Sequence, residues 1–206
     1  MASILDFKFP RAIVNALWLT DPDPRSQQLR VLKKLLKKAR FTEFGQQYRF
    51  DDILFSKHIG KKFQELVPVH DYNKIYEEWW KKTLDGVPDV TWPGKIKYYA
   101  LSSGTSESAS KYIPVTKEML RSNRVNYIRQ LISLFSYEHL PRNAVTKGFL
   151  MLGGATDLQK GKAGWYAGDL SGILAKNRPF WFQTFYKPGG RIAAIKDWNQ
   201  KLHEIV

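Results

Sequence analysis

The residues best suited to chemistry lie in one polar segment, 101–111, with the sequence Leu-Ser-Ser-Gly-Thr-Ser-Glu-Ser-Ala-Ser-Lys. Six of its eleven residues are Ser or Thr, and no large apolar side chain follows Leu101. Hydroxyls, a glycine that permits close backbone approach and a terminal ammonium group are the donors that suit a polyphosphate. The same composition is also typical of a surface loop rich in turn-forming residues. The composition alone leaves both interpretations open.

Extended segments on both sides would position these donors. Residues 95–101 are rich in β-forming side chains, and residues 112–115 predict a second short strand. Residues 102–111, called the polar loop below, are therefore predicted to be a hairpin-like excursion between two strands. A long helix is predicted from Thr116 to about Tyr137, because apolar residues recur there at helical spacing.

The rest of the chain predicts a helical first half and a mixed second half. Residues 27–40 carry leucines on one face and lysines off it, as in an amphipathic helix that Asp23 or Ser26 caps. Further predicted helices cover residues 3–19, 58–66, 71–84, 170–176 and 193–206, a further predicted strand covers 147–152, and residues 90–92 are predicted to be a strand or an extended segment.

Charge and composition narrow the class of protein. The 206 residues include 33 Lys and Arg against 19 Asp and Glu, a net charge of +14, and 43% are hydrophobic, which suits a folded core. The absence of cysteine excludes a disulfide framework, a thiol nucleophile and a thiolate metal site. The apolar run 12–19 is too short for a membrane span and has no small-residue cleavage site after it. We therefore expect a cytoplasmic protein without membrane contact.

The sequence around the polar loop resembles a known family. The stretches that carry the resemblance are Trp92-Pro93, residues 96–100 (Ile-Lys-Tyr-Tyr-Ala), residues 102–106 (Ser-Ser-Gly-Thr-Ser) and residues 111–116 (Lys-Tyr-Ile-Pro-Val-Thr). Together they are similar to the auxin-responsive acyl-acid amido synthetases, which belong to the acyl-adenylate-forming superfamily. Residues 41–45, 48–50, 67–72 and 166–171 resemble the bacterial members. The resemblance thus covers almost the whole chain.

The resemblance implies an α/β fold in which a helical N-terminal cap leads into a mixed sheet flanked by helices, the N-terminal part of an adenylate-forming large domain. We expect one partial domain over 1–206, with the mainly helical cap over 1–90 and the α/β part over 91–206. Family members are much longer, with adenine-binding and ribose-binding motifs and a mobile C-terminal domain beyond this region. We therefore expect an N-terminal fragment that is inactive alone and whose partner is the C-terminal part of the same enzyme.

The resemblance also implies where ATP binds. The β- and γ-phosphates would be held by Ser102, Ser103, Gly104, Thr105 and Ser106, with Lys111 at the end of the loop and Mg²⁺ bridging the phosphates. One departure concerns residues 107–109, Glu-Ser-Ala, where many relatives have glycine after the motif. The departure stiffens the loop and places a negative charge near the predicted polyphosphate.

The helix after the loop is implied to line the acyl pocket. Tyr127 and Gln130 are the predicted substrate-binding residues, and Arg124 and Arg129 are neighbours that could meet a carboxylate. The alternative is that Tyr127 is a core aromatic residue and the arginines are solvated. The implied reaction activates a small carboxylic acid with ATP and joins it to an amine or amino acid, while the catalytic residues stay unknown.

Two other classes of function stay open. The basic charge, together with adjacent aromatic pairs such as Trp79-Trp80, is compatible with a basic binding module for nucleic acid or acidic surfaces, although we do not expect a nucleic acid partner. Ser102 or Ser103 with Lys111 could instead form the Ser–Lys pair of an amidohydrolase. The four histidines are too dispersed for a helical metal pair, so no metal ligand is predicted among them.

Overall fold

The computed structural model describes residues 23–102, 111–134 and 148–206. The predicted helix over 3–19 lies outside these residues, as does the last part of the predicted helix that begins at Thr116. Four short helices open the described chain: α1 (Pro24–Ala39), α2 (Glu43–Gln47), α3 (Phe50–Phe55) and α4 (Ile59–Leu66).

The four helices share one apolar core. Leu36 and Ala39 of α1 pack against Phe50, Ile53 and Ile59 of α3 and α4, and all five are buried. The predicted capping of α1 is confirmed, because the Asp23 carboxylate accepts hydrogen bonds from the N–H groups of residues 25 and 26.

A longer helical stretch follows. It consists of α5 (Tyr72–Ile75), a π-helical turn (Tyr76–Trp80) and α6 (Lys81–Leu84). Asp71 caps it as predicted, since its side chain accepts a hydrogen bond from the Lys74 N–H at 2.8 Å. Gly86 follows its end with a φ of +86°, a conformation that glycine adopts at no steric cost.

Within the described residues, six short strands form two sheets. They are β1 (Tyr98–Leu101), β2 (Tyr112–Val115), β3 (Phe149–Leu150), β4 (Gln159–Lys160), β5 (Tyr166–Gly168) and β6 (Tyr186–Lys187). In the larger sheet, of order β2-β1-β5-β4, β1 is antiparallel to β2 and parallel to β5, and β4 is antiparallel to β5. Strands β3 and β6 form a separate parallel pair. The predicted mixed sheet is thereby confirmed.

Helices cover both faces of the larger sheet. On one face, Tyr98 and Ala100 pack with residues of α7 (Lys117–Leu134) and α8 (Leu170–Lys176). On the other, Tyr99 packs near Leu84 of α6, because successive side chains of a strand point to opposite faces. A mixed sheet flanked by helices, preceded by a helical region, is the predicted fold class.

Two predicted elements are wrong. Residues 90–92 form no strand, because the carbonyls of Asp89 and Val90 accept hydrogen bonds from the N–H groups of Glu43 and Phe44 at the start of α2. Residues 193–206 form no single helix. Helix α9 (Gly190–Ala193) ends there, and α10 (Trp198–His203) begins after a new cap, Asp197, whose side chain accepts from the Gln200 N–H at 2.7 Å.

No helix within the described residues is both long and apolar enough to cross a membrane.

Candidate functional site

Strands β1 and β2 bring the two ends of the polar loop together. Leu101 pairs with Tyr112, and one step beyond this pair the Ser102 N–H donates to the Lys111 carbonyl at 3.2 Å. The polar loop is thus closed at its neck by two antiparallel strands, as predicted. Four of the predicted phosphate-binding residues lie outside the described residues: Ser103, Gly104, Thr105 and Ser106.

Lys111 has its ammonium group against an aromatic ring at this neck. Its Nζ lies 4.9 Å from the centroid of the Tyr72 ring, and the Tyr72 hydroxyl accepts a hydrogen bond from the Tyr112 N–H at 2.9 Å. Burial raises the pKa of Tyr72, so this ring stays neutral under the cation. Lys111 forms no ion pair with any carboxylate of the described chain.

The same geometry bears on the amidohydrolase alternative. Within residues 23–102 and 111–134, no hydrogen bond joins the Ser102 hydroxyl to the Lys111 ammonium group, which lies against Tyr72 instead. A nucleophilic serine needs its base within hydrogen-bond reach. The described geometry therefore offers no Ser–Lys pair through Ser102.

A cavity of about 510 Å³ lies between α7, α8, strand β3 and residues 177–186. Its walls are mainly apolar and include Leu120, Leu131, Phe149, Met151, Leu174 and Phe182. Both residues predicted to contact a substrate, Tyr127 and Gln130, line this cavity. Tyr127 is 42% exposed, so the alternative that it is an ordinary core aromatic residue is wrong.

Two arginines line the cavity among otherwise uncharged side chains. Arg124 donates from Nη2 to the Asn177 carbonyl at 3.3 Å and so joins α7 to the end of α8. Arg178 is the second, whereas Arg129 is not among the lining residues. The described lining contains no Asp or Glu, so the cavity combines apolar walls with positive charge.

Arg178 was not among the residues that the sequence pointed to. Its Nη1 donates to the Ala175 carbonyl at the end of α8, and its Cζ lies 4.2 Å from the centroid of the Tyr186 ring. Its Nε is buried and has no hydrogen-bond partner in the described structure. Burial raises the pKa of Tyr186 against the opposing effect of the arginine charge. The motif Asn-Arg-Pro after a predicted helix marks a helix end, but it does not show that the guanidinium faces a cavity.

One wall of the cavity is held by a buried lysine. Lys201 is 3% exposed, and its ammonium group donates to the Gly153 carbonyl at 3.0 Å. The next N–H, that of Gly154, donates to the Ser171 hydroxyl at 2.8 Å. Burial lowers the pKa of Lys201, which the charge of Asp169 partly offsets. These bonds fix the Gly153-Gly154 turn against α8.

No group of three or more His, Asp or Glu side chains in the described ranges could hold a metal ion.

Comparisons with known proteins identify the family and the fold. The sequence model described as "GH3 family N-terminal domain" matches residues 17–205. A search of curated proteins found no match. The solved structure titled "GH3.15 acyl acid amido synthetase" is similar with a TM-score of 0.70 and 21% identity, covering 94% of this chain and 33% of that chain. A second, "AtGH3.15 acyl acid amido synthetase in complex with 2,4-DB", has a TM-score of 0.51 and 22% identity, covering 77% of this chain and 29% of that chain.

These structural likenesses support the fold, and they also show the difference in length. The chain spans about a third of the length of the synthetases that it matches.

Proposed function

This chain belongs to the GH3 family, and from that membership we propose that it forms the N-terminal part of an ATP-dependent acyl-acid amido synthetase. The observation that carries the proposal is the cavity beside α7, which joins apolar walls to two arginines without a described acidic side chain. A small carboxylic acid has the matching chemistry, since it has an apolar body and one anionic group. The similar structure titled as a complex with 2,4-DB supports a small organic ligand.

The acid would lie along α7. Tyr127 and Gln130 would contact it, because both line the cavity and are exposed there. A phenol and a carboxamide can orient a polar group, while Leu131 and Phe149 cover the apolar body. Van der Waals contact with these walls would set which acid fits best.

The polar loop would hold the nucleotide. The described part of the loop fits a polyphosphate, because Lys111 offers a cation that no carboxylate of the described residues pairs with, and Ser102 offers a hydroxyl at the same neck. The Ser102 N–H is already bonded to Lys111, so only the hydroxyl is available there. By family resemblance, Ser103, Gly104, Thr105 and Ser106 would supply the other donors to the β- and γ-phosphates.

The proposed reaction has two steps. Bound MgATP supplies the adenylyl group: a carboxylate oxygen bonds to the α-phosphorus while the bond to pyrophosphate breaks. An amine nitrogen, for example of an amino acid, then attacks the acyl carbon, AMP leaves and the amine loses a proton. The residues of this chain would position the acid and stabilise the charge that develops on the phosphates. We place these steps in the cytoplasm, where ATP is available.

We further propose that the 206 residues bind these ligands but do not complete turnover by themselves. The matched synthetases are about three times longer, so the chain would provide one part of a larger active site. Detectable amide formation by the isolated chain would contradict this proposal. Amide formation only by a longer protein that contains it would support it.

The test of the function is carboxylate-dependent exchange between ATP and pyrophosphate, measured on the full-length protein. We expect the substitution Lys111→Ala to lower the exchange rate about 100-fold, the effect of removing one donor to developing charge. Lys196→Ala is the matched control, because Lys196 is an exposed lysine paired with Asp157. Exchange by Lys111→Ala at the wild-type rate would contradict the role of Lys111, and no exchange with any acid would contradict the function.

A further inference from the structure

We propose that Tyr72 is a positioning residue for the polar loop, whose ring holds the Lys111 ammonium group in place for the polyphosphate of ATP. This inference rests on the proposed function, in which the polar loop and Lys111 hold the nucleotide. It concerns a side chain of α5, in the helical half of the chain, for which the sequence predicted no role.

Tyr72 contacts two consecutive residues at the point where the polar loop ends. Its ring centroid lies 4.9 Å from Nζ of Lys111, and its hydroxyl accepts a hydrogen bond from the Tyr112 N–H at 2.9 Å. Tyr72 and Tyr112 are 40 residues apart in the chain, so these contacts join the helical region to the neck of the loop. One side chain thus restrains both the cation and the backbone beside it.

The hydroxyl contact satisfies a donor at the edge of the sheet. Hydrogen-bonded and non-hydrogen-bonded pairs alternate along antiparallel strands, and the Ser102 N–H donates to the Lys111 carbonyl. The Tyr112 N–H therefore points away from β1. Among the described strands β2 pairs with β1 alone, so this N–H has no acceptor within the sheet. The Tyr72 hydroxyl supplies the acceptor and fixes the start of β2 against α5.

The Tyr72 ring is itself held by neighbouring rings. The Tyr76 ring stacks with it, at 5.6 Å between ring centroids and an interplanar angle of 20°. The Trp80 ring lies 6.1 Å from it in an edge-to-face arrangement. Aromatic pairs in such arrangements stabilise one another beyond the area that they bury. The ring therefore offers the Lys111 ammonium group a fixed surface.

A fixed ring changes the cost of binding an anion through Lys111. A lysine side chain is long and flexible, and ordering it on a ligand costs conformational entropy. The ring contact restricts the ammonium group beforehand, so less entropy is lost when a polyphosphate binds. The uncharged ring, unlike a carboxylate, does not neutralise the ammonium group. Lys111 is also exposed, so an anion in solution can reach it.

The test is a double-mutant cycle on the full-length protein, with MgATP and AMP as the probes in calorimetry. We expect Tyr72→Leu, which removes the ring, to lower the affinity for MgATP about 5- to 20-fold. In the Lys111→Ala background the same substitution should lower it less than about twofold, because the ring then has no cation to hold. AMP lacks the β- and γ-phosphates, so its affinity should stay near the wild-type value. A merely structural role of Tyr72 would persist in the Lys111→Ala background.

Two further variants and a control complete the experiment. Tyr72→Phe keeps the ring and loses the hydroxyl, so its affinity for MgATP should lie closer to that of the wild type than to that of Tyr72→Leu. Tyr72→Met, with a longer apolar side chain, replaces Tyr72→Leu if the latter does not fold. Phe41→Leu is the matched control, because Phe41 is an exposed ring that lies 4.4 Å from the guanidinium carbon of Arg40, at the end of α1.

The outcomes separate the inference from the proposed function. If Lys111→Ala weakens MgATP binding while Tyr72→Leu binds MgATP as the wild type does, the inference is wrong and the proposed function stands. Equal losses from Tyr72→Leu with and without Lys111 would also overturn it, as would equal losses in Tyr72→Phe and Tyr72→Leu. If the wild type binds no MgATP, or if Lys111→Ala binds it unchanged, the nucleotide-binding role of Lys111 fails and the inference fails with it.

Discussion

At the scale of single residues, a buried chain of hydroxyls links the sheet to the helices that cover it. The Tyr99 hydroxyl donates to the Thr83 hydroxyl at 2.7 Å, which in turn donates to the Trp80 carbonyl at 2.6 Å. Tyr99 is 0% exposed, and burial raises its pKa to about 12. Both hydroxyls are therefore satisfied inside the protein, close to the strand that leads into the polar loop.

We predict that Tyr99→Phe lowers the free energy of unfolding by about 1 kcal/mol, because the Thr83 hydroxyl loses its donor. Tyr98→Phe is the control, since the Tyr98 hydroxyl makes no hydrogen bond within the described part of the chain. Urea denaturation at neutral pH measures both variants. Equal stability of the two would show that the Tyr99–Thr83 bond contributes nothing measurable.

The same residue predicts a pH dependence. The pKa of Tyr99 is raised from 10.0 to about 12 in the folded state. The neutral Tyr99 side chain therefore contributes fully to the free energy of unfolding below pH 10, and this contribution is lost as the pH rises towards 12. Urea denaturation between pH 8 and pH ~11.5 should show the free energy of unfolding of the wild type falling more steeply than that of Tyr99→Phe. Parallel curves would contradict the assignment.

At the scale of elements, α8 lies against the turn before β4 at a distance that only glycine permits. A Cβ at Gly172 would lie 2.2 Å from the Ala155 carbonyl oxygen, which is backbone and cannot rotate away. Gly153 and Leu174, on the two elements that meet here, both line the cavity. The close approach of α8 to this turn therefore shapes the cavity beside α7.

We predict that Gly172→Ala lowers the free energy of unfolding by about 1–3 kcal/mol, as overpacking does. Gly60→Ala in α4 is the matched control, because its Cβ would lie at an ordinary contact distance, 3.7 Å, from a Leu29 methyl group. It should stabilise the protein by up to about 1 kcal/mol through helix propensity. Chemical denaturation of both variants checks the opposite signs, and destabilisation of equal size would contradict the packing argument.

At the scale of the whole molecule, the positive charge is not confined to the candidate site. The net charge is +14, and α1 and α4 flank a groove whose lining includes Arg25, Lys33, Lys57 and Lys61 and no described acidic residue. This groove is distinct from the cavity beside α7. Because of this groove, a basic binding module for nucleic acid or acidic surfaces stays open as the alternative function, and an experiment is needed to decide.

Salt dependence distinguishes the two functions. Binding that neutralises six or more phosphates should weaken ~10³-fold or more between 50 and 200 mM salt. We expect MgATP binding to weaken less than about tenfold over this range, because few charges take part. Titrations of the full-length protein with MgATP and with labelled duplex DNA check this. Tight duplex binding with the steep slope, and no MgATP binding, would favour the basic binding module.

Local chemistry explains what could be predicted from the sequence. The caps Asp23 and Asp71, strand β2, helix α8 and the neck of the polar loop follow from side-chain type and spacing over a few residues. The placement of Tyr127 and Gln130 came from family resemblance, and the structure brings both to one cavity. The roles of Ser103, Gly104, Thr105 and Ser106 stay predictions.

The remaining features depend on contacts between residues far apart in the chain. Only the tertiary structure shows that the Val90 carbonyl caps α2 instead of joining a strand. The hydrogen bond that it accepts comes from the N–H group of Phe44, which is far away in the sequence. Likewise, the buried Lys201 ammonium group donates a hydrogen bond to the Gly153 carbonyl, and the Arg178 guanidinium lies beside the Tyr186 ring. The sequence by itself determined most of the elements, the family and the position of the polar loop, since these depend on neighbours in the chain. The shape of the cavity and the position of Arg178 in its lining depend on tertiary packing. Contacts between residues that are distant in sequence leave no periodic pattern to detect.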